Sequence, residues 1–235
     1  MTSKEILLEL KAMGSDSIKK VLVNHGAREP FYGVKVADLK TIQKKVKVNH
    51  ALAMELYDSG ISDAMYLAGL IADDEKMTKK DLQHWAKNAY WYMLSEYTVP
   101  WVASGSKHGH ELALEWIASK EENIAATGWV TYSCLLSRTQ DADLDLDEIK
   151  SMVDRIEKKI HSAPNRVRHT MNSFIISVGG YIKPLSPYAI AASKRIGKVS
   201  VNMGNTACKV PFGPEYIEKM KKRGSLEKKK NTVKC

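Results

Sequence analysis

Residues 30–40 read PFYGVKVADLK, a loop punctuated by proline and glycine that runs into a helix. Proline and glycine interrupt regular structure, and the apolar residues after them recur at the spacing of an amphipathic helix. On this helix Lys40, Lys44 and Lys47 fall on one face. Such a basic face is usually only solvated, but it also suits contact with a phosphate backbone.

The alternation of amphipathic helix and short break extends in both directions from this stretch. The pattern indicates about eleven or twelve short helices, separated by two to six residues. One of them runs roughly from Glu122 to Leu136, and Thr78-Lys79-Lys80-Asp81 marks the start of another. Helices joined by short loops lie antiparallel, and many such pairs in series without strand signals form a solenoid. The sequence therefore predicts an all-α fold, an α-solenoid of antiparallel helix pairs.

One segment departs from the helical pattern. Residues 198–210, KVSVNMGNTACKV, alternate around Gly204-Asn205, which is typical of a β-hairpin with a type II′ turn. Pairing across this turn predicts an apolar face and a polar face that carries Lys198 and Lys209. Two roles remain open for the hairpin, a cap that packs on the helices or a ribbon that enters a DNA groove.

Composition indicates a globular protein of a reducing compartment. Hydrophobic residues make up 44% of the chain and charged residues 27%, and no apolar run approaches the roughly 18–20 residues of a membrane span. Cys134, Cys208 and Cys235 lack the spacing of a disulfide or zinc scaffold. The N-terminus does not resemble a signal peptide. We therefore predict a cytoplasmic protein with no cofactor, no metal and no membrane partner.

The positive charge is concentrated at the C-terminal end. The net charge is +9, and residues 194–235 contain twelve Lys or Arg against three Glu, so residues 1–193 are neutral overall. A basic end on a neutral body favours a polyanionic partner. The apolar pattern predicts one domain over 1–222, which includes the hairpin, and a basic flexible tail over 223–235.

Aromatic residues are concentrated between Trp85 and Trp101. This stretch holds six of the chain's eighteen aromatic residues, with Glu96 among them. Ring faces beside an acid can form a pocket for a flat cationic ligand, although aromatic residues at helical spacing are usually core. The candidates for a groove-lining role are Trp91, Tyr92, Trp101 and Trp129.

Residues 30–40 resemble the loop P-F-x-G-V-[RK]-V-x-D-L-[RK] of the AlkD-like DNA alkylation-repair family. The stretches 56–64 and 67–73 are also similar to that family, and the likeness continues more weakly to about residue 196. The resemblance implies a curved α-solenoid of HEAT-like helix pairs with a basic concave face that holds duplex DNA. It also implies a glycosylase ancestry, in which aromatic residues and an acid stabilise a cationic alkylated purine as it leaves.

The family's site residues are carried over only in part. The resemblance places Tyr92 on the first site tryptophan and Glu96 on the catalytic acid, which makes these two the catalytic candidates. Ala125 and Ala126 replace the arginines that hold phosphate, and Ser173 stands at a later tryptophan. This pattern, with the added hairpin, resembles the AlkF and AlkG branch, which keeps DNA binding without clear alkylbase excision.

Three functions compete at this point. The favoured one is a monomeric, non-enzymatic protein that binds double-stranded, branched or damaged DNA and associates with the nucleoid when bound. The alternatives are an alkylpurine (3-methyladenine or 7-methylguanine) DNA N-glycosylase that uses Glu96, and a helical-repeat scaffold for protein interactions. The predicted DNA-binding residues are Lys35, Lys40, Lys44, Arg166, Arg168, Lys194, Arg195, Lys198 and Lys209.

Overall fold

The computed structural model describes residues 1–234, and every regular element in that range is helical. The thirteen α-helices of this range are α1 (Ser3–Met13), α2 (Asp16–Asn24), α3 (Val36–Val46), α4 (His50–Asp58), α5 (Ser62–Ile71), α6 (Lys79–Asn88), α7 (Val99–Gly105), α8 (Gly109–Ile117), α9 (Glu122–Leu136), α10 (Leu146–Lys159), α11 (Asn165–Tyr181), α12 (Ser186–Ile196) and α13 (Gly213–Lys222). A π-helical turn, Leu94–Thr98, precedes α7. Short 3₁₀ turns occupy Asp74–Lys76, Asp141–Asp143, Ile160–Ser162 and Lys183–Leu185.

Side-chain caps explain where several helices begin. Thr2 and Glu5 form a reciprocal capping box at α1, and Thr78 and Asp81 form another at α6. The Ser15 hydroxyl accepts a hydrogen bond from the backbone amide of Ile18 and caps α2. These side chains satisfy amide groups that have no partner inside the helix.

The internal contacts of the chain divide it into two compact units. The first comprises residues 1–108 and 203–207 with Lys234, and the second comprises 109–202 and 208–233. Consecutive helices pack on each other within each unit, for example α4 on α5 and α8 on α9. This is the packing that a series of helix pairs predicts, whereas the single domain over 1–222 stays a prediction.

The core of the first unit is built around α5, whose ten residues are all buried. A helix that is buried on every side requires neighbours all round it. Gly69 allows the π turn to approach, because a Cβ atom at this position would lie 2.7 Å from Cγ2 of Thr98. Beside α5, the rings of Tyr57 and Trp85 stack with centroids 4.0 Å apart.

The core of the second unit is centred on α9 and α11. Trp129 and Tyr132 of α9 each meet the Phe174 ring of α11 edge to face, at centroid distances of 5.2 and 5.3 Å. Such contacts are worth about 0.5–1.5 kcal/mol beyond the burial of the rings. Trp129, a sequence candidate for the groove, is therefore a core residue of this unit with no exposed surface.

The predicted β-hairpin at 198–210 is wrong, since no strand occurs in residues 1–234. The backbone groups of this segment bond to helix ends instead of pairing with each other. Asn165 donates from Nδ2 to the carbonyl of Asn202 (2.9 Å) and accepts from its amide through Oδ1 (2.7 Å). The amide of Asn205 donates to the carbonyl of Asn24 at 3.0 Å.

Gly204 is placed where a side chain would not fit. Its φ is +73°, and a Cβ atom here would lie 2.3 Å from the carbonyl oxygen of Asn24. Glycine therefore serves a close approach to the end of α2, although the sequence pattern assigned it to a hairpin turn.

The basic segment 223–235 makes specific contacts within the second unit. The amide of Glu227 donates to the carbonyl of Gly180, and the amide of Lys230 donates to the carbonyl of Ser137, both at 2.7 Å. Lys229 donates to the carbonyl of Leu136 and lies 2.8 Å from Asp141 Oδ1. Cys235 lies outside the described residues, and the flexibility of this tail stays a prediction.

Candidate functional site

The aromatic segment 85–101 is organised by the π turn Leu94–Thr98. In this turn the amide of Val99 donates to the carbonyl of Leu94, five residues back instead of four. Pro100 follows directly and has no amide hydrogen with which to continue a regular ladder. Single π turns inside helices are rare and occur often at functional sites. The sequence pattern did not predict this π turn.

Five aromatic rings of the first unit meet in a continuous series. Trp91 contacts Tyr92 at 5.2 Å between centroids, and Tyr92 contacts Tyr97 at 6.4 Å. Tyr97 contacts Trp101 at 5.8 Å, and Trp101 contacts Tyr66 at 5.3 Å. The structure therefore brings together three of the four predicted groove aromatics, with Tyr66 and Tyr97 as members that the sequence did not single out.

The rings of this series differ in how far they are exposed to solvent. Trp91 and Trp101 are buried, whereas Tyr92 is half-buried and Tyr97 is exposed to 39%. The Trp91 indole donates from Nε1 to Ser62 Oγ at 2.6 Å, which fixes the ring against α5. The two tyrosines are thus the aromatic residues that a ligand in solvent can reach.

Glu96 lies in the middle of the π turn and is only 3% exposed. A carboxylate this well buried requires partners, and the side chain does interact with its surroundings. Its position between Tyr92 and Trp101 in the chain keeps it within the aromatic segment.

The loop of residues 30–34 is held in place by Asp63 and Tyr90. Asp63 is buried, and its carboxylate accepts hydrogen bonds from the backbone amides of Tyr32 (2.6 Å) and Val34 (2.8 Å). The Tyr90 hydroxyl donates to the carbonyls of Pro30 and Gly60. This loop leads into α3, and it therefore sets the position of the lysines that follow it.

The predicted cations of α3 point to solvent to different degrees. Lys35 at the start of the helix and Lys44 in its last turn are exposed, whereas Lys40 is half-buried. Lys40 and Lys44 are four residues apart on this helix and therefore neighbour each other on its surface. A polyanion can reach this part of the first unit.

The predicted arginines of α11 are half-buried near its first turn. The backbone amide of Arg166 donates to Glu122 Oε1 at 2.6 Å, and its guanidinium lies 3.4 Å from His169 Nδ1. The Arg168 Nε atom is buried and has no hydrogen-bond partner among residues 1–234. Protein contacts therefore hold Arg166 more firmly than a freely solvated phosphate-binding residue.

The remaining predicted cations lie at the end of α12 and in the segment after it. Lys194, Lys198 and Lys209 are exposed. Arg195 is exposed as well, but its guanidinium makes a bidentate pair with Glu157, at 2.6 and 2.9 Å. The Arg195 side chain also holds the pKa of the Glu157 carboxyl below its usual value. The three lysines are therefore better placed for a polyanion than Arg195.

Ala125 and Ser173, which the resemblance matched with an arginine and a tryptophan of the family, lie in the second unit. Ala125 is buried and lines a cleft, whereas Ser173 is half-buried, and its hydroxyl donates to the carbonyl of His169. The same cleft is lined by Arg155 and Lys159 of α10, which the sequence did not single out. Their spacing of four residues on one helix is the signal that places them on a common face.

Two classes of site are not found in the part of the chain that the structure describes. Among residues 1–234 no three His, Cys, Asp or Glu side chains are grouped so as to hold a metal ion. The Nε2 atom of His110 lies 2.8 Å from Glu148 Oε1. None of the described helices has both the length and the apolar character needed to span a membrane.

Comparison with known proteins identifies a family and relatives that align with nearly the whole chain. The model of a family described as DNA alkylation repair enzymes matches residues 6–201. An uncharacterised protein of Listeria innocua is 35% identical, and one of Listeria monocytogenes is 34% identical. Each alignment covers 95% of this chain and 99% of the relative.

One solved structure is similar over its whole length. It is 37% identical, has a TM-score of 0.91 and is matched over 100% of both chains. That protein is described as a member of a new family related to the HEAT-like repeat DNA glycosylases, with affinity for branched DNA structures.

Proposed function

Because the chain belongs to the family of DNA alkylation repair enzymes, we propose that it binds DNA, favours branched or distorted duplexes, and does not excise bases efficiently. The observation that carries this proposal is the likeness of the whole chain, at 37% identity, to a HEAT-like protein with affinity for branched DNA structures. The predicted replacement of two family arginines by Ala125 and Ala126 supports the absence of efficient excision.

The charge and exposure of the lysines support DNA as the partner. The net charge is +9, and Lys35, Lys44, Lys194, Lys198 and Lys209 are all exposed. Lysine contacts to phosphate release counterions, which makes binding strongly dependent on salt and weakly dependent on sequence. As part of the same proposal the protein acts as a monomer in the cytoplasm, and light scattering at micromolar concentration tests the monomer.

The test compares DNA structures and matched charge variants. Fluorescence anisotropy is measured with a four-way junction, a fork and a linear duplex of equal length, at several salt concentrations. The expected result is tighter binding to the junction and the fork, with affinity that falls steeply as salt rises. Equal affinity for all three DNAs would contradict the proposed preference for branched DNA. Binding that does not depend on salt would contradict the proposed contacts to phosphate.

Lys198 and Lys209 provide the residue-level test. The double variant Lys198→Gln/Lys209→Gln is expected to weaken junction binding by about five- to tenfold at physiological salt, because two phosphate contacts are lost. The matched control Lys4→Gln/Lys87→Gln removes two exposed lysines outside the predicted set. An equal loss in both variants would show that only net charge matters.

An alkylpurine glycosylase is the second candidate, and the placement of Glu96 favours it. This buried acid lies in a π turn, within a segment that also presents Tyr92 and Trp101. A carboxylate and ring faces in one segment suit the cationic sugar and base of the excision transition state. The proposal of inefficient excision and this candidate make opposite predictions for one assay.

The assay is release of 7-methylguanine from alkylated DNA in a single turnover. The main proposal expects release close to the uncatalysed background. The glycosylase candidate expects release that falls at least about a hundredfold in Glu96→Gln. Ser95→Ala, a buried neighbour in the same π turn, is the control for a general disturbance of this segment. Equal release by wild type and Glu96→Gln would show that Glu96 does not catalyse the reaction.

A further inference from the structure

The second unit contains a cleft that no proposed DNA contact explains. Its volume is about 340 Å³, which falls within the range of small-molecule sites. It opens between the end of α8, the start of α9, the end of α10 and the start of α11. All of its lining residues lie between 117 and 171, so the cleft belongs to one compact unit.

The floor of the cleft is apolar and its mouth is cationic. Ile117, Ala125, Val167 and Met171 of the lining are each at most 5% exposed. The exposed residues of the mouth include three cations, Lys120, Arg155 and Lys159. An apolar floor below several cations favours a ligand that has both a flat apolar part and an anionic part.

Arg155 is positioned to bind the anionic part of such a ligand. Its Nη2 atom donates to the carbonyl of Ile117 at 3.3 Å, and its guanidinium lies 5.8 Å from the centre of the Trp129 ring. A guanidinium has five donors in a planar fork, so this bond leaves others for a phosphate. The one acid of the lining, Glu122, accepts the backbone amide of Arg166 at 2.6 Å and so caps α11.

A buried polar atom in the lining also lacks a partner. Trp129 has no exposed surface, yet its indole Nε1 makes no hydrogen bond to any atom of residues 1–234. Leaving a buried donor unsatisfied costs about 1–3 kcal/mol, and an acceptor on a ligand would remove that cost where binding first exposes the indole. Nucleobases carry such acceptors on their ring edges, whereas a simple hydrocarbon acid does not.

We infer that this cleft binds a nucleotide unit, with the base above Ile117, Ala125 and Met171 and the phosphate at Arg155, Lys159 and Lys120. The same chemistry is offered by a free mononucleotide and by an unpaired nucleotide at the end of a DNA strand. The second source rests on the proposed DNA-binding function, whereas the first does not.

The primary test measures binding of deoxyadenosine monophosphate to the full chain by titration calorimetry. The expected dissociation constant is on the order of 1 mM or lower, with inorganic phosphate alone at least about tenfold weaker. Arg155→Gln/Lys159→Gln is expected to weaken binding at least about tenfold because it removes two of the three cations. Ala125→Leu is expected to weaken it by filling the floor.

Lys158→Gln is the matched control, because Lys158 is an exposed lysine of α10 that does not line the cleft. Its affinity for the mononucleotide is expected to stay within about twofold of wild type. Circular dichroism of each variant establishes that it is folded. The inference is overturned if the mononucleotide does not bind at about 10 mM, or if the cleft variants bind it as well as Lys158→Gln does.

A second arm distinguishes the two sources of the nucleotide. Junction DNA with flush ends is compared with the same junction carrying one unpaired nucleotide on a strand. If Arg155→Gln/Lys159→Gln removes an advantage of the unpaired end, the strand end is the source. If DNA affinity is unchanged while the mononucleotide is lost, the free nucleotide is the source. Absence of all DNA binding would refute the proposed function but leave the mononucleotide result intact.

Discussion

Asp63 shows how one buried acid organises a loop that is remote in sequence. Its two carboxylate oxygens accept the amides of Tyr32 and Val34, 31 and 29 residues away. Each oxygen of the carboxylate has one backbone donor, so both loop amides are satisfied without solvent. The conformation of the 30–34 loop therefore depends on the carboxylate of Asp63.

Asp63→Asn tests this dependence. The amide side chain keeps one acceptor oxygen but turns a nitrogen donor toward the second backbone amide. We expect the free energy of unfolding to fall by about 1–3 kcal/mol, measured by urea denaturation. Glu55→Gln removes an acid at an exposed position of α4 and is expected to change it by less than about 0.5 kcal/mol. Equal stability of Asp63→Asn and wild type would contradict the assignment.

Tyr90 makes the stability of the same loop dependent on alkaline pH. Burial raises the pKa of the Tyr90 hydroxyl from 10.0 to about 12. Because the folded-state pKa lies above the unfolded one, the associated stability is complete below pH 10 and is lost between pH 10 and 12. After allowance for solvent screening of this half-buried group, the loss is about 1–2 kcal/mol.

The comparison of wild type with Tyr90→Phe isolates this contribution. Phenylalanine lacks the hydroxyl that donates to Pro30 and Gly60, so the variant should be less stable near neutral pH. The difference in unfolding free energy should then narrow between pH 10 and 12, because only wild type has this group to ionise. A difference that stays constant across that window would show that another tyrosine accounts for the alkaline loss.

At the scale of elements, the helices were predictable because their start signals are local. The sequence predicted Glu122–Leu136, and α9 has those bounds. The pattern Thr78-Lys79-Lys80-Asp81 predicted a helix start, and α6 begins there with a capping box. Caps and apolar periodicity act within a few residues, so a sequence reading captures them without knowledge of tertiary contacts.

The hairpin prediction failed for the opposite reason. Alternation and a Gly-Asn pair describe a segment that can pair with itself, but partners elsewhere compete for the same backbone groups. In this protein Asn24 and Asn165 supply those partners, and they lie far from 198–210 in the sequence. A local sequence pattern carries no information about this competition.

Asn165→Ala tests the docked form of the segment. Loss of the side chain removes both bonds to the backbone of Asn202, so its amide should exchange with solvent at least about tenfold faster. Asn202→Ala is the control, because it keeps the backbone atoms that Asn165 contacts. A hairpin held by its own cross-strand pairs would protect this amide equally in both variants, which is the contrary outcome.

At the scale of the whole molecule, the basic C-terminal segment combines charge with structure. Its contacts to Leu136, Ser137 and Gly180 satisfy carbonyls near the ends of α9 and α11. Removal of residues 223–235 should therefore lower the unfolding free energy by about 1–3 kcal/mol in urea denaturation. A truncated chain as stable as the full one would show that the segment is a free tail in solution.

The candidate site was predictable in composition but not in arrangement. The sequence placed Glu96 and the aromatic residues in one segment, and the rings of Trp91, Tyr92 and Trp101 do lie in one series. It could not separate buried rings from exposed ones, because that depends on packing against α5. Trp129 shows the same limit, since its chemistry fits a groove while its neighbours make it core.

The π turn has a consequence for any alignment of this segment. A regular α-helix advances about 100° per residue, so one extra residue in a turn rotates everything after it by about that angle. Trp101 therefore faces a different direction from the one that a helical wheel started at Tyr92, where this helical segment begins, assigns to it. A relative with a regular helix here would present its residues in the same directions only if its sequence were one residue shorter across Leu94–Thr98.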